Sequence, residues 1–151
     1  MTKFLAAAAT MVVAFSIAVA PAGATDAQLR SAIKAADQAT QPDATAWAQA
    51  IKSNQSTATV RAATQKLITD LKNERTLLSK VKASSAKGRK GKALYLGALN
   101  TMRSALKAFD KALTGAAKGN KAKVRTQLKK FQAKVVKSQL AAKRAEKLIG
   151  A

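Results

Sequence analysis

The sequence predicts an all-α fold, a slim antiparallel up-and-down bundle of three long helices and one short N-terminal helix, preceded by a signal peptide. Three observations support this prediction. Apolar residues recur at alternating steps of three and four, which places them on one stripe of an α-helix. Turn-forming residues separate the stripes, and no alternating strand pattern of useful length occurs. Short connections of this kind favour antiparallel neighbours.

The first 24 residues have the pattern of a secretory signal peptide. Lys3 gives a positive start, residues 4–20 carry no charge, and small residues precede a cleavage site after Ala24. An uncleaved anchor is the alternative, but this uncharged stretch falls short of the roughly 20 residues that span a bilayer. We expect one mature domain, residues 25–151, without a membrane span, in the periplasm, the cell wall or the medium.

The first two helices are predicted on either side of Pro42. A short helix over residues 26–39 carries Leu29 and Ile33. A long helix over residues 43–82 begins at Asp43, because proline suits a helix entrance and an acid suits the positive end of the helix dipole. At 1.5 Å per residue this helix is about 60 Å long, so its start overhangs its partners. Its stripe consists of Trp47, Ile51, Val60, Leu67, Leu71, Leu78 and Val81.

The last two helices, over residues 92–115 and 120–149, are predicted to form a hairpin that turns near Gly119. Residues 84–91, with two Ser and two Gly, are predicted to form a flexible turn before this hairpin. Gly115, Gly119 and Asn120 accept the backbone angles that end a helix. The two stripes are Tyr95, Leu99, Met102, Leu106, Phe109 and Leu113, and Val124, Leu128, Phe131, Val135, Ser138, Ala142, Ala145 and Ile149.

Positive charge is concentrated in the second half of the chain. From Lys80 onward there are 20 basic residues and two acidic residues, Asp110 and Glu146, which gives a net charge of +18. Residues 25–79 hold seven bases and five acids, a net charge of only +2. A small domain needs a net charge of magnitude about 2 to 8 to stay soluble, so the excess makes polyanion binding an alternative of equal weight to a merely solvated surface.

Two groups of cations are the candidate binding residues. Hairpin topology predicts that the turn near residues 80–92 lies at the same end of the bundle as the last turns of the final helix. A second line follows the final helix on the side that we expect to face away from its apolar stripe. Together the candidates are Lys80, Lys82, Lys87, Arg89, Lys90, Lys92, Lys123, Lys130, Lys134, Lys137, Lys143, Arg144 and Lys147.

The expected partner is an anionic polymer or surface outside the cytoplasm: a cell-wall polyanion, an acidic polysaccharide or anionic lipid. Lys outnumbers Arg and acts as a point charge, so broad specificity is expected. Nucleic acid would bind only through its phosphates, since Tyr95, Phe109 and Phe131 all lie on apolar stripes. Two alternatives are a structural or chaperone-like bundle that uses an apolar groove along the overhanging helix, and a membrane-active secreted protein.

No catalytic, cofactor or metal site is predicted, and we expect a protein that is not an enzyme. The chain has no His and no Cys, the residues that most often shuttle protons, bind metals or form thiolate nucleophiles. Asp70 and Glu74 lie one turn apart, but two carboxylates bind a metal poorly without further ligands. We expect them to pair with Lys66 or with bases on a neighbouring helix, and for Glu74 that partner is a base such as Arg103.

Overall fold

The computed structural model describes residues 26–150, and this part of the chain contains four α-helices and no strand. The predicted all-α bundle is therefore confirmed, while the predicted signal peptide, residues 1–24, lies outside the described residues. The helices are α1 (Ala27–Lys52), α2 (Thr57–Lys80), α3 (Ala86–Ala117) and α4 (Lys121–Gly150).

Each helix runs antiparallel to the one before it. Trp47 near the end of α1 bonds to Thr64 near the start of α2, whereas Thr40 reaches Glu74 further along α2. At the α2–α3 pair, Arg61 bonds to Asp110 at one end, and Lys92 reaches the carbonyl of Ser79 at the other. In the α3–α4 hairpin, Gly115 lies beside Lys123 and Gly91 lies beside Ile149.

The break between the first two helices is not at Pro42, where the sequence predicts it. Pro42 lies inside α1, and the chain instead turns at residues 53–56. Proline cannot donate a hydrogen bond to the carbonyl of Gln38, but both residues are exposed, so water can take that role. The predicted continuous helix over residues 43–82 and its overhang are therefore wrong, and the apolar groove that depended on the overhang loses its basis.

Local backbone chemistry sets the turn at residues 53–56. Asn54 has a φ of 49°, in the left-handed region that asparagine tolerates better than most residues. The Ser56 hydroxyl then accepts a hydrogen bond of 3.1 Å from the backbone N–H of Thr59, which caps the start of α2. These two residues end one helix and begin the next without a proline.

The start of α3 also differs from the prediction. The helix begins at Ala86, so residues 86–91 are helical although the sequence predicts a flexible turn there. The Ser85 hydroxyl accepts a 2.8 Å hydrogen bond from the N–H of Gly88 and caps the helix. Gly88 and Gly91 are buried because they allow close approach by other segments, rather than because they bend the chain. The turn near Gly119, with a φ of 69°, is where the sequence predicts it.

The core follows the predicted stripes. Trp47, Phe109 and Phe131 are almost completely buried and bring α1, α3 and α4 together, with ring centroids 5.2 to 6.4 Å apart. This burial confirms that the aromatic residues of the basic half serve packing. Small residues also matter: the Ser138 hydroxyl donates a 2.8 Å hydrogen bond to the carbonyl of Ala98, which holds α4 close to α3.

Candidate functional site

Cations from the α2–α3 turn and from the end of α4 meet at one end of the bundle. A Cβ atom added at Gly91 would lie 3.2 Å from the carbonyl oxygen of Ala145 and would clash with Ile149. The turn therefore lies beside the last turns of α4. We call this end the basic pole; all of its cations except Lys92 are exposed, and they are Lys80, Lys82, Lys87, Arg89, Lys90, Lys92, Lys143, Arg144 and Lys147.

Two of these cations are engaged by the protein itself. The ammonium of Lys92 donates to the carbonyls of Ser79 and Val81, at 2.7 and 2.5 Å. These carbonyls belong to the end of α2, where a cation compensates the negative end of the helix dipole. Arg89 donates from Nη1 to the carbonyl of Ser84 at 2.8 Å. Lys92 is therefore a capping residue, and Arg89 retains only part of its guanidinium for an external anion.

The chain's own carboxylate occupies the positive end of α3. Asp26 accepts hydrogen bonds from the backbone N–H and hydroxyl of Ser84, at 3.1 and 3.2 Å, and from the hydroxyl of Ser85 at 2.5 Å. The Ser85 hydroxyl leads the contacts that lower the pKa of Asp26. A helix start attracts anions, and this one is already filled. The start of α3 therefore offers no open position to a further anion, and the exposed cations of the pole are the positive groups that remain there.

The predicted line of cations along α4 lies on its flank rather than on its outermost side. Lys134 is only partly exposed, and its ammonium donates a 2.5 Å hydrogen bond to the hydroxyl of Ser104 on α3. Each member of the line directly precedes a residue that faces the other helices, as Lys134 precedes Val135. Consecutive helical residues differ by about 100° around the axis, which is well short of the opposite side. The line is Lys123, Lys130, Lys134, Lys137 and Arg144.

The outermost side of α4 consists of a different set of residues. Its members lie two positions before a buried residue, which turns them almost directly away from the core. All six are exposed. Cations occupy both ends, and the large apolar side chains of Val136 and Leu140, 47% and 54% exposed, lie between them. We call this set the outer ridge: Lys129, Ala133, Val136, Leu140, Lys143 and Lys147.

A buried cluster of acids lies where α1, α2 and α3 meet. The Tyr95 hydroxyl is 2.5 Å from Asp37 Oδ1 and 3.0 Å from Glu74 Oε1, while the Thr40 hydroxyl donates to Glu74 Oε2 at 3.1 Å. Asp37, Thr40 and Glu74 border a cavity of about 40 Å³, which is large enough for water but too small for a substrate. Tyr95 and Glu74 are 1% and 4% exposed.

The geometry of this cluster favours a shared proton. Tyr95 has one hydroxyl hydrogen, so it fully donates to only one of its two carboxyl neighbours, and a proton on the other carboxyl completes the second hydrogen bond. Burial raises the pKa of Glu74 to about 7, with the Asp37 charge acting in the same direction. Burial likewise raises the pKa of Asp37 to about 6, with a smaller contribution from Glu146 of α4. Burial and both carboxylates raise the pKa of Tyr95.

Asp70 and Glu74 do not form the ion pairs that the sequence predicts. Lys66 bonds to Asp43 at 2.6 Å, and Asp70 lies beside that pair. Glu74 bonds to Tyr95 and Thr40 rather than to Arg103, because α1 and α3 bring those hydroxyls to its carboxyl. The sequence indicates only one member of this cluster. Glu74 interrupts the apolar stripe between Leu71 and Leu78, and it is buried with them.

Within residues 26–150 there is no group of three or more His, Cys, Asp or Glu arranged to hold a metal ion. None of the four helices in this part of the chain combines the length and the apolarity needed to cross a membrane. Comparisons with protein-family models, with curated proteins and with solved structures found no match.

Proposed function

We propose that this protein is an exported, non-enzymatic bundle whose basic pole and α4 cations bind anionic polymers or surfaces. The predicted signal peptide supports export, and the excess of Lys and Arg beyond residue 80 supports the choice of partner. The partners that fit are cell-wall polyanions, acidic polysaccharides and anionic lipids. Nucleic acid fits only as a partner bound without sequence preference.

One observation carries the proposal: the cations of the second half, apart from Lys92, Arg103 and Lys134, are exposed, and acids do not neutralise them. Of the two acids beyond residue 80, Asp110 forms a salt bridge of 3.0 Å with Arg61 of α2, and Glu146 is partly buried beside Asp37. The helix α4 alone carries ten basic residues and one acidic residue. Clustered cations of this density produce a positive potential that concentrates polyanions at the surface.

The arrangement also predicts the mode of binding. The free cations of the pole are mostly Lys side chains on flexible stems, which attract phosphate, sulfate and carboxylate groups without the two-pronged geometry of Arg. The helix start that would hold a single anion tightly is filled by Asp26. Affinity therefore comes from many weak charge contacts, and it depends on the charge density of the polymer more than on its chemical class.

Removing charge from the pole tests this proposal. The variant Lys82→Gln, Lys87→Gln, Lys90→Gln loses three exposed cations. We expect its affinity for polyphosphate and for a sulfated polysaccharide, measured by titration calorimetry at low salt, to fall by about tenfold or more.

The matched control removes the same charge from the first half of the chain, with Lys34→Gln, Lys52→Gln and Lys72→Gln, all exposed. We expect a loss of about threefold or less, which reflects net charge alone. Equal losses in the two variants would contradict a localised binding surface. No loss in either would contradict the proposed function.

A further inference from the structure

We propose that the outer ridge of α4 docks on the surface of an anionic lipid bilayer. This inference rests on the proposed function and deepens it by selecting one partner. A polyanion dissolved in water offers only charge, whereas a bilayer of acidic lipids offers charge and, directly beneath it, acyl chains. The outer ridge presents the complementary pair of features, cations at its ends and aliphatic side chains at its centre.

The apolar centre is unusual for this surface. Among residues 26–150, the large hydrophobic side chains that are exposed are Leu77, Val136 and Leu140. Two of these three lie one turn apart on the most basic helix, on the side turned away from the core. Single exposed hydrophobic residues are ordinary, but a neighbouring pair enclosed by cations along one line matches the pattern of helices that lie in a bilayer interface.

Docking by this side leaves the bundle intact. The buried stripe of α4, which includes Phe131, Val135 and Ser138, stays packed on α3 while Val136 and Leu140 face outward. From Lys129 to Lys147 the ridge is about 27 Å long, so it lies flat along the headgroups. Glu146 is partly buried, so repulsion of acidic lipid at this surface is small.

Vesicle binding tests the ridge. The variant Val136→Ser, Leu140→Ser keeps every charge and removes the aliphatic centre. We expect its partitioning onto vesicles of phosphatidylglycerol and phosphatidylcholine to fall about tenfold, because two aliphatic groups no longer leave water. Its affinity for soluble polyphosphate should stay unchanged. Leu77→Ser, the matched control on α2, should change neither quantity.

A single label tests where the contact lies. The chain has no Cys, so Leu140→Cys can carry an environment-sensitive fluorophore at one position, with Leu77→Cys as its control. We expect a blue shift at position 140 with acidic vesicles, and none with phosphatidylcholine vesicles or at position 77. We also expect no release of vesicle contents, since the core stripe stays packed.

The outcomes separate the two proposals. If the serine variant binds acidic vesicles as well as the wild-type protein does, the bilayer proposal is overturned while polyphosphate binding leaves the proposed function in place. An equal blue shift with polyglutamate would overturn it in favour of an acidic polypeptide. If the wild-type protein binds neither vesicles nor polyphosphate, both proposals fail.

Discussion

Glu74→Gln is expected to stabilise the protein above neutral pH. Glu74 and Asp37 have pKa values raised to about 7 and about 6, so the folded state holds their protons more tightly than the unfolded state does. Their favourable contribution is complete below about pH 4 and is lost as the pH rises through 6 and 7. Wild-type stability should therefore fall between pH 5 and pH 9. The amide of the variant remains neutral over this range and can still donate a hydrogen bond to Tyr95.

The expected gain at pH 9 is about 3 kcal/mol, because the pKa of Glu74 rises from its ordinary 4.5 to about 7 and each pKa unit corresponds to 1.36 kcal/mol. The measurement is urea unfolding followed by circular dichroism from pH 5 to pH 9. Asp43→Asn is a control of opposite sign, because the hydrogen bond from Lys66 lowers the pKa of Asp43, which therefore contributes stability above pH 4. A wild-type curve that stays flat, or a Glu74→Gln variant that is less stable than wild type at pH 9, would contradict the shared proton.

Trp47→Ala is expected to destabilise the protein more than the truncation of any exposed side chain. The ring is completely buried, packs edge-on against Phe109 at 5.5 Å and donates a 2.9 Å hydrogen bond to Thr64. Its removal leaves a large cavity between α1, α3 and α4 and takes away the N–H donor to Thr64, whose hydroxyl keeps only its own hydrogen bond to the carbonyl of Val60. Truncations of this kind cost about 3 to 5 kcal/mol, against a typical total of about 5 to 15 kcal/mol.

Thermal unfolding followed by circular dichroism measures this effect. Leu77→Ala is the matched control, because Leu77 is 61% exposed and its truncation should cost about 0.5 kcal/mol or less. If Trp47→Ala and Leu77→Ala unfold at similar temperatures, the aromatic cluster does not hold α1 on the α3–α4 hairpin.

The helical class and the α3–α4 hairpin could be predicted from the sequence because they depend on spacing within one helix. Tyr95 and Phe131 are buried where their stripes place them. The break between α1 and α2 could not be predicted in the same way. Pro42 is acceptable inside a helix only because it faces solvent, and that orientation is set by how α1 packs on α2.

The candidate site likewise combines features that the sequence predicts with features that depend on packing between helices. The basic pole follows from hairpin topology and charge counting, so the sequence predicts its position. Contacts between helices give the rest. Lys92 caps the end of α2, and Asp26, which precedes α1, occupies the start of α3. Both contacts join residues that belong to different helices or to the turns beside them, so the spacing of residues along the sequence does not predict them. Lys134 lies against α3 because it directly precedes the buried Val135, and its hydrogen bond to Ser104 depends on how closely α3 and α4 pack.

The central claim is that exposed cations of the second half bind polyanions through charge alone. A salt titration of polyphosphate binding tests it most directly. Each phosphate contact contributes to the dependence of affinity on salt, so about six contacts predict a loss of about a hundredfold or more between 50 and 200 mM salt. An affinity that changes by less than about threefold over this range corresponds to a single contact or fewer and would contradict the claim.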